Sequence, residues 1–391
     1  MIRIAFVLCG LSSDWLGGIN YFKNLFSAID SLPNSNIKIV IVTGKNSNLY
    51  GLDKYAGEVI RTRILDRYSV FWLLSKSIKF VLRREYLFYS VLLKNNIHLI
   101  SHFGALWKGC SIPSLMWIPD FQHIHLKELF SKELIDYRDK DFNRICKISD
   151  AVLVSSCDSK KDLYDFLGTK NINVHVLRFV STVTDDITDI PTLDCIKEKY
   201  NLNKKWFHIP NQVWQHKNHI LIINSLNYIK AKNRDDVVVV FTGSTGDFRS
   251  KEHFIFLNEI ISKYKVEDYV IFLGVIPYID VMALMKYSIA VINPSFFEGW
   301  SSTVEEAKSL GKKIFLSDIP VHREQNPDRG FYFNTNDHVA LANLMIETTD
   351  NYQTSVEEER FQLSKNNMEE RRRQFAIEYQ NIATSVLQKK K

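Results

Sequence analysis

Residues 294 to 307 read Pro-Ser-Phe-Phe-Glu-Gly-Trp-Ser-Ser-Thr-Val-Glu-Glu-Ala, followed by Gly311 and an apolar run from Lys313. The order is loop, helix, glycine stop, strand. Ser302 with Glu305 three residues on reads as a capping box, and Gly311 as the helix terminator. The exposed N-terminus of such a helix suits an anion. Its first amides lack intrahelical acceptors, the dipole end is positive, and the small residues from Gly299 to Thr303 let a phosphate reach the backbone. Seven residues separate Glu298 from Glu306. One carboxylate therefore lies ahead of the helix and the other beyond its first turn, so that the two bracket a ligand. A carboxylate accepts well from a ribose diol, and a second can grip sugar hydroxyls as charge develops at an anomeric carbon. The plainer alternative is that Glu305 and Glu306 only compensate the helix dipole.

Other polar groups gather where strands end. A strand at 2–8 leads into Gly17-Gly18, after which Ile19, Phe22, Leu25, Phe26 and Ile29 recur at helical spacing. Asn211-Gln212-Val213-Trp214-Gln215-His216-Lys217-Asn218-His219 follows a strand at 206–209. Gly243-Ser244-Thr245-Gly246 and Gly274-Val275-Ile276-Pro277 follow two more strands, and both also make good turns. Trp117-Ile118-Pro119-Asp120-Phe121-Gln122-His123 closes a strand in the first half.

The E-x7-E element, the preceding Asn293-Pro294-Ser295 and the glycine before a strand resemble the retaining glycosyltransferases of family 4, over nearly the whole chain. The resemblance implies the GT-B fold, two Rossmann-like α/β domains facing an interdomain cleft, with the nucleotide held mainly by the second and the acceptor by the first. It implies a metal-independent hexosyltransferase with no cofactor, moving a sugar from a UDP- or GDP-sugar to a glycan acceptor with retention of configuration. Glu306 would bind the ribose and Glu298, as the catalytic carboxylate, the donor sugar. Lys217 and Gln212 would meet the pyrophosphate, Ser301, Ser302 and Thr303 would offer amides, Gly243 and Val275 would approach the nucleotide, and Gly17-Gly18 would close over it. This chain has Asn211 or Gln212 where the family carries an arginine, and Pro119 where many relatives carry a histidine. Asp120 and His123 then stand either as candidate catalytic groups touching sugar or acceptor, or as a helix cap and a surface histidine. Those departures keep two further readings open, a catalytically silent GT-B subunit that binds a partner enzyme and a nucleotide-sugar epimerase.

The elements that must position these groups alternate. Strand-like runs at 37–42, 99–102, 115–118, 151–155 and 174–179 are separated by helical segments, and a second series runs through 206–209, 237–242, 270–273, 289–293 and 313–317. Such alternation predicts parallel, helix-covered sheets. An acidic, turn-rich stretch around Pro191 marks a linker. The expected organisation is an N-terminal acceptor-side domain at 1–185, a linker at 186–203, a C-terminal nucleotide-sugar domain at 204–368, and a helix at 369–391 packing back across the domains on Phe375, Tyr379, Ile382 and Val386.

The 391 residues are 46% apolar and 24% charged, with a net charge of +6, which excludes a disordered chain and a polycationic nucleic-acid binder. Five scattered cysteines without a C-x-x-C pair argue against a disulfide framework or zinc site and for a reducing, cytoplasmic setting. G-x-G-x-x-G, P-loop and H-E-x-x-H motifs are absent. Asp139-Lys140-Asp141 lies in a charged, helical-looking stretch and reads as a solvated face rather than a metal site. The N-terminal run reads as a strand rather than a signal peptide, and no apolar stretch reaches the roughly 20 residues of a membrane span. Residues 61–94 carry eight basic residues against Asp66 and Glu85. Arg67, Lys76, Lys79, Arg83 and Arg84, interleaved with apolar residues, fit either an anionic membrane surface at the inner face of the cytoplasmic membrane or a solvated face over a core. The first reading implies a lipid-linked acceptor, as in cell-surface polysaccharide or lipopolysaccharide assembly.

Overall fold

A computed structural model describes residues 1–11, 16–181, 190–246 and 252–390. The chain divides into two compact units, one of Met1–Phe121, Glu133–Val180 and Arg371–Lys391, the other of Gln122–Lys132 and Ser181–Glu370. Of the linker expected at 186–203, residues 186–189 lie outside the described residues, and Leu193–Tyr200 is a helix capped by the Thr192 side chain.

The first unit is built on seven parallel strands, β1 (Ile2–Val7), β2 (Ile37–Thr43), β3 (Glu58–Arg61), β4 (Leu99–His102), β5 (Ser114–Trp117), β6 (Ala151–Val154) and β7 (Val174–Val176), ordered β3-β2-β1-β4-β5-β6-β7. The near-continuous apolar runs of β1, β2 and β6 are those of strands covered on both faces. Ile19, Phe22, Leu25, Phe26 and Ile29 bury one side of the helix Leu16–Ser31 against the sheet, where Phe6 meets Phe26 edge-on at 4.6 Å and Tyr21 stacks on Trp117 at 4.4 Å. Strand β3 was not expected. It is a short, half-buried edge strand without a strong apolar run.

The second unit holds six parallel strands, β8 (Lys205–Ile209), β9 (Val237–Phe241), β10 (Val270–Phe272), β11 (Val291–Asn293), β12 (Ile314–Ser317) and β13 (Gly330–Phe333), ordered β10-β9-β8-β11-β12-β13. Phe207, Ile209, Val239, Phe241, Ile292 and Phe315 form its core with Leu226 and Leu341 from covering helices. The strand order reverses between β8 and β11. In open parallel sheets the carboxyl ends of strands at such a reversal form the ligand crevice.

The last helix begins at Thr354 rather than near 369 and runs to Gln388. Its residues to Glu370 count with the second unit, where Phe361 and Met368 join a cluster with Leu310 and Ile314. Phe375, Tyr379, Ile382 and Val386 bury in the first unit. The charged stretch at 357–360 and 369–373 hid the continuity of this helix from periodicity.

Candidate functional site

The loops that leave β8 and β11 flank the reversal point, and short backbone links fix them. The Phe296 amide donates to the His216 carbonyl at 2.9 Å, joining the two loops. Val213 N–H donates to Ser244 O at 2.8 Å and Gly243 N–H to Gly274 O at 2.8 Å, which ties in the turns after β9 and β10. Gly243 has φ +125°, and a Cβ there would stand 2.9 Å from the Asn211 carbonyl carbon and oxygen. Only glycine permits that approach.

The helix after β11 is Ser302–Ser309, with Ser301 as its N-cap residue. The capping box expected from Ser302 and Glu305 does not form. Tertiary partners take the groups that a box would pair: Ser301 Oγ accepts from Asn293 Nδ2 at 2.8 Å, its amide donates to Gln325 Oε1 at 3.2 Å, and Glu305 Oε1 accepts from Gln325 Nε2 at 2.9 Å. Glu305 also pairs with Lys308 at 3.4 Å, which leaves it a structural residue. Ser302 is exposed, while Thr303 is buried and donates to Asn211 Oδ1 at 3.0 Å. The helix does end at Gly311, φ +60°, where a Cβ would come 2.4 Å from Arg360 O.

Lys217 and Glu298 meet. Lys217 closes a single helical turn, Gln215–Lys217, after β8, and its Nζ lies 2.6 Å from Glu298 Oε1. The Ser295 hydroxyl sits 2.7 Å from the same carboxylate oxygen and 2.6 Å from Asn293 Oδ1. Nearby, burial pushes the His322 imidazole down to about 4, and its Nδ1 lies 2.9 Å from the Ser317 carbonyl, so the neutral ring carries its proton there. Eight positions beyond Glu298, Glu306 is 6% exposed, and burial pushes its carboxyl up to about 7 even though Tyr278 Oη donates to Oε1 at 3.0 Å. The two carboxylates thus differ in kind. Glu298 is charge-paired, whereas Glu306 is buried with one neutral donor.

The remaining predicted residues are more scattered. Val275 projects from the turn at Gly274 (φ +66°) and is 65% exposed, and Gln212 is half-buried with its carbonyl accepting from Trp214 N–H at 2.7 Å. Gly17 and Gly18 lie inside the first turn of the helix Leu16–Ser31, not in a glycine loop, since helix formation begins before them; residues 12–15 of the preceding connection lie outside the described residues. Asp120, in the first unit, is paired with Arg138 at 2.6 Å. His123, in the second unit, is fully buried with its ring against Phe130. Two positions on, His125 is exposed and stacks on Phe297, the neighbour of Glu298, at 5.0 Å. Sequence reasoning missed His125, Tyr278, His322 and Gln325. Tyr278 had a signal, because it follows directly on the turn already singled out at 274–277. Asp139-Lys140-Asp141 lies within the helix Lys132–Ile148, with Asp141 paired to Arg144 at 2.6 Å. Among the described residues, no group of three or more His, Cys, Asp or Glu is placed to hold a metal ion.

A second surface stands out in the first unit. The helix Val70–Leu82 buries only Ser75, while Val70, Leu73, Phe80 and Val81 face solvent, Phe80 at 83%. Arg67, Lys76, Lys79, Arg83 and Arg84 are exposed among them; Lys79 pairs with Glu85, and Arg84 lies 5.6 Å from the Trp107 ring centroid. Among the described residues no helix is long and apolar enough to cross a membrane.

Two Rossmann-like units, with a helix terminus and a lysine–carboxylate pair at the reversal point of the second, define a GT-B fold. The structure matches a glycosyltransferase from Rickettsia africae with a TM-score of 0.69 at 16% identity, covering 99% of this chain and 98% of the other. It also matches sucrose-phosphate synthase from Thermosynechococcus elongatus (0.67, 13%, covering 98% and 99%) and Anabaena Alr3699/HepE in complex with UDP and glucose (0.66, 15%, covering 98% and 99%). Residues 195–370, nearly all of the second unit, match the family model described as glycosyl transferases group 1. No curated protein matches the sequence.

Proposed function

We propose that this protein is a retaining, metal-independent hexosyltransferase of the family 4 type, with a UDP- or GDP-sugar as donor and a lipid-linked glycan as acceptor. One observation carries the reading. Within the segment that matches the glycosyl transferase family, Lys217, Glu298, Glu306 and the terminus of the Ser302–Ser309 helix surround a single sheet reversal. In the reaction the bond from the anomeric carbon to the diphosphate oxygen breaks, a bond to an acceptor hydroxyl forms on the same face, and the nucleoside diphosphate leaves with the bonding pair. Lys217 and the amides at Ser302 and Thr303 stabilise that charge, which is electrostatic preorganisation where charge develops, whereas the Ser301 amide is already committed to Gln325. Glu298 holds the donor sugar as positive charge grows at the anomeric carbon, Glu306 takes the ribose diol, and Gly243, Gln212 and Val275 border the nucleotide.

The exposed apolar and basic face of the Val70–Leu82 helix supports an acceptor presented on an anionic membrane, as in cell-surface polysaccharide or lipopolysaccharide assembly. The test is a thermal-shift panel of UDP, GDP, ADP and their sugar conjugates on wild type, Lys217→Ala and Glu306→Ala. A nucleotide-selective rise in Tm that both variants lose is expected. No rise with any nucleotide would favour a silent subunit, and conversion of the nucleotide sugar without acceptor would favour an epimerase.

A further inference from the structure

Resting on the reading that Glu306 receives the donor ribose, we propose that Tyr278 is a positioning residue for this carboxylate: it pins Oε1 from the protein side and leaves Oε2 to a ribose hydroxyl of a nucleoside diphosphate.

Among the described residues Tyr278 is the one hydrogen-bond partner of the Glu306 carboxylate, at 3.0 Å. The tyrosine stands on a rigid platform. It opens the helix Tyr278–Tyr287, its predecessor Pro277 is the N-cap residue, and the turn before it is pinned through Gly243 N–H to Gly274 O at 2.8 Å. The ring edge is exposed while the hydroxyl reaches the buried carboxylate and also receives a hydrogen bond from Ser181. The site therefore combines a ring open to a ligand with a hydroxyl committed to Glu306.

A carboxylate that accepts from a diol must be ionised, and burial opposes this. The Tyr278 hydrogen bond favours the ionised form and partly offsets burial. Among the described residues no other charge shifts this carboxyl. On its own helix, Glu305 and Lys308 pair with each other and with Gln325; on the helix of Tyr278, Asp280 is held by Lys199 and Tyr200; Lys217 and Glu298 neutralise one another; and the nearby Thr303–Asn211 contact is uncharged. Removing the hydroxyl while keeping the ring should thus raise the pH needed for ribose recognition.

The experiment is titration of wild type and Tyr278→Phe with UDP and GDP and with their 2′,3′-dideoxy counterparts, from pH 5.5 to 9. Wild type should favour the ribonucleotide by at least about tenfold, the loss expected when a polar site meets a ligand lacking its hydroxyl, and this preference should fade below about pH 7. In Tyr278→Phe the preference should survive at pH 9 with its midpoint moved up by about one pH unit or more. An unchanged midpoint in Tyr278→Phe overturns this inference while leaving Glu306 as the ribose residue. Equal binding of ribo- and dideoxynucleotides by wild type at every pH overturns the ribose reading itself.

Discussion

The second unit contains two clusters of inward-facing charge that look alike in composition and differ in completeness. Around Glu357, Lys312 Nζ lies at 2.8 Å and Arg329 Nη2 at 2.6 Å; Lys312 also donates to Lys286 O and Arg329 to Gly311 O. Lys312 is 2% exposed, and burial brings its ammonium down to about 8 against the pull of Glu357. Burial pushes the Glu357 carboxyl up, but Arg329 and Lys312 outweigh it and hold the group below its ordinary value. Every charge there has several protein partners. Lys217 Nζ, by contrast, has the Glu298 carboxylate as its one hydrogen-bond partner among the described residues, and the pair borders a helix terminus whose first amides have no intrahelical acceptor. The saturated cluster clamps the last helix to the sheet. The other leaves its lysine with a single carboxylate partner.

The comparison breaks most readily at Glu357. Glu357→Ala strands a buried lysine and an arginine, and urea unfolding should show a loss of about 3–5 kcal/mol; a loss below about 1 kcal/mol would mean that the clamp is not structural. Lys217→Ala leaves Glu298 with the Ser295 hydroxyl and should cost less in urea unfolding than Glu357→Ala, while sugar transfer falls by about 100-fold or more in a product assay.

Glu306→Gln sharpens the contrast through pH. Its carboxyl has an ordinary value of 4.5 and is pushed to about 7 in the folded protein, so the folded state binds the proton more tightly than the unfolded one. Stability from this group is therefore full below about pH 4.5 and is lost as pH rises through about 7. The glutamine variant escapes that loss. Its Tm should exceed wild type by a few degrees at pH 8 and match it near pH 4.5, while the preference for ribonucleotides over dideoxynucleotides disappears; a Tm difference independent of pH would refute the burial argument.

The smallest effect belongs to charges with no buried partner at all. Lys76→Glu should leave the urea midpoint unchanged and reduce sedimentation with anionic vesicles by about fivefold or more, from roughly 1 kcal/mol per basic residue at such a surface. Equal sedimentation with neutral vesicles would remove the membrane role of this helix.

Much of the scaffold was legible because its signals are local. The buried strands carry continuous apolar runs, and the helix after β1 shows its core face at three- and four-residue spacing. Edge strand β3 and terminal strand β13, the latter beginning with Gly330, lack such runs, so only pairing with β2 and β12 reveals them. The site was legible in its residue types and not in its partnerships. Ser302 and Glu305 satisfy a local capping rule, yet Gln325 and Asn293, distant in sequence or on another element, supply the bonds that place Ser301 at the cap.

The sequence by itself determined which chemistry was on offer: two carboxylates eight positions apart, a lysine after a strand, and small residues opening a helix. Only the tertiary structure decided that Lys217 pairs with Glu298 across 81 positions, that Glu305 turns to Gln325, and that Glu306 sits buried against Tyr278. The reason is physical. Backbone propensity and apolar periodicity act over a few residues, whereas the protonation and reach of a side chain depend on solvent exclusion and on partners that the sheet order brings together.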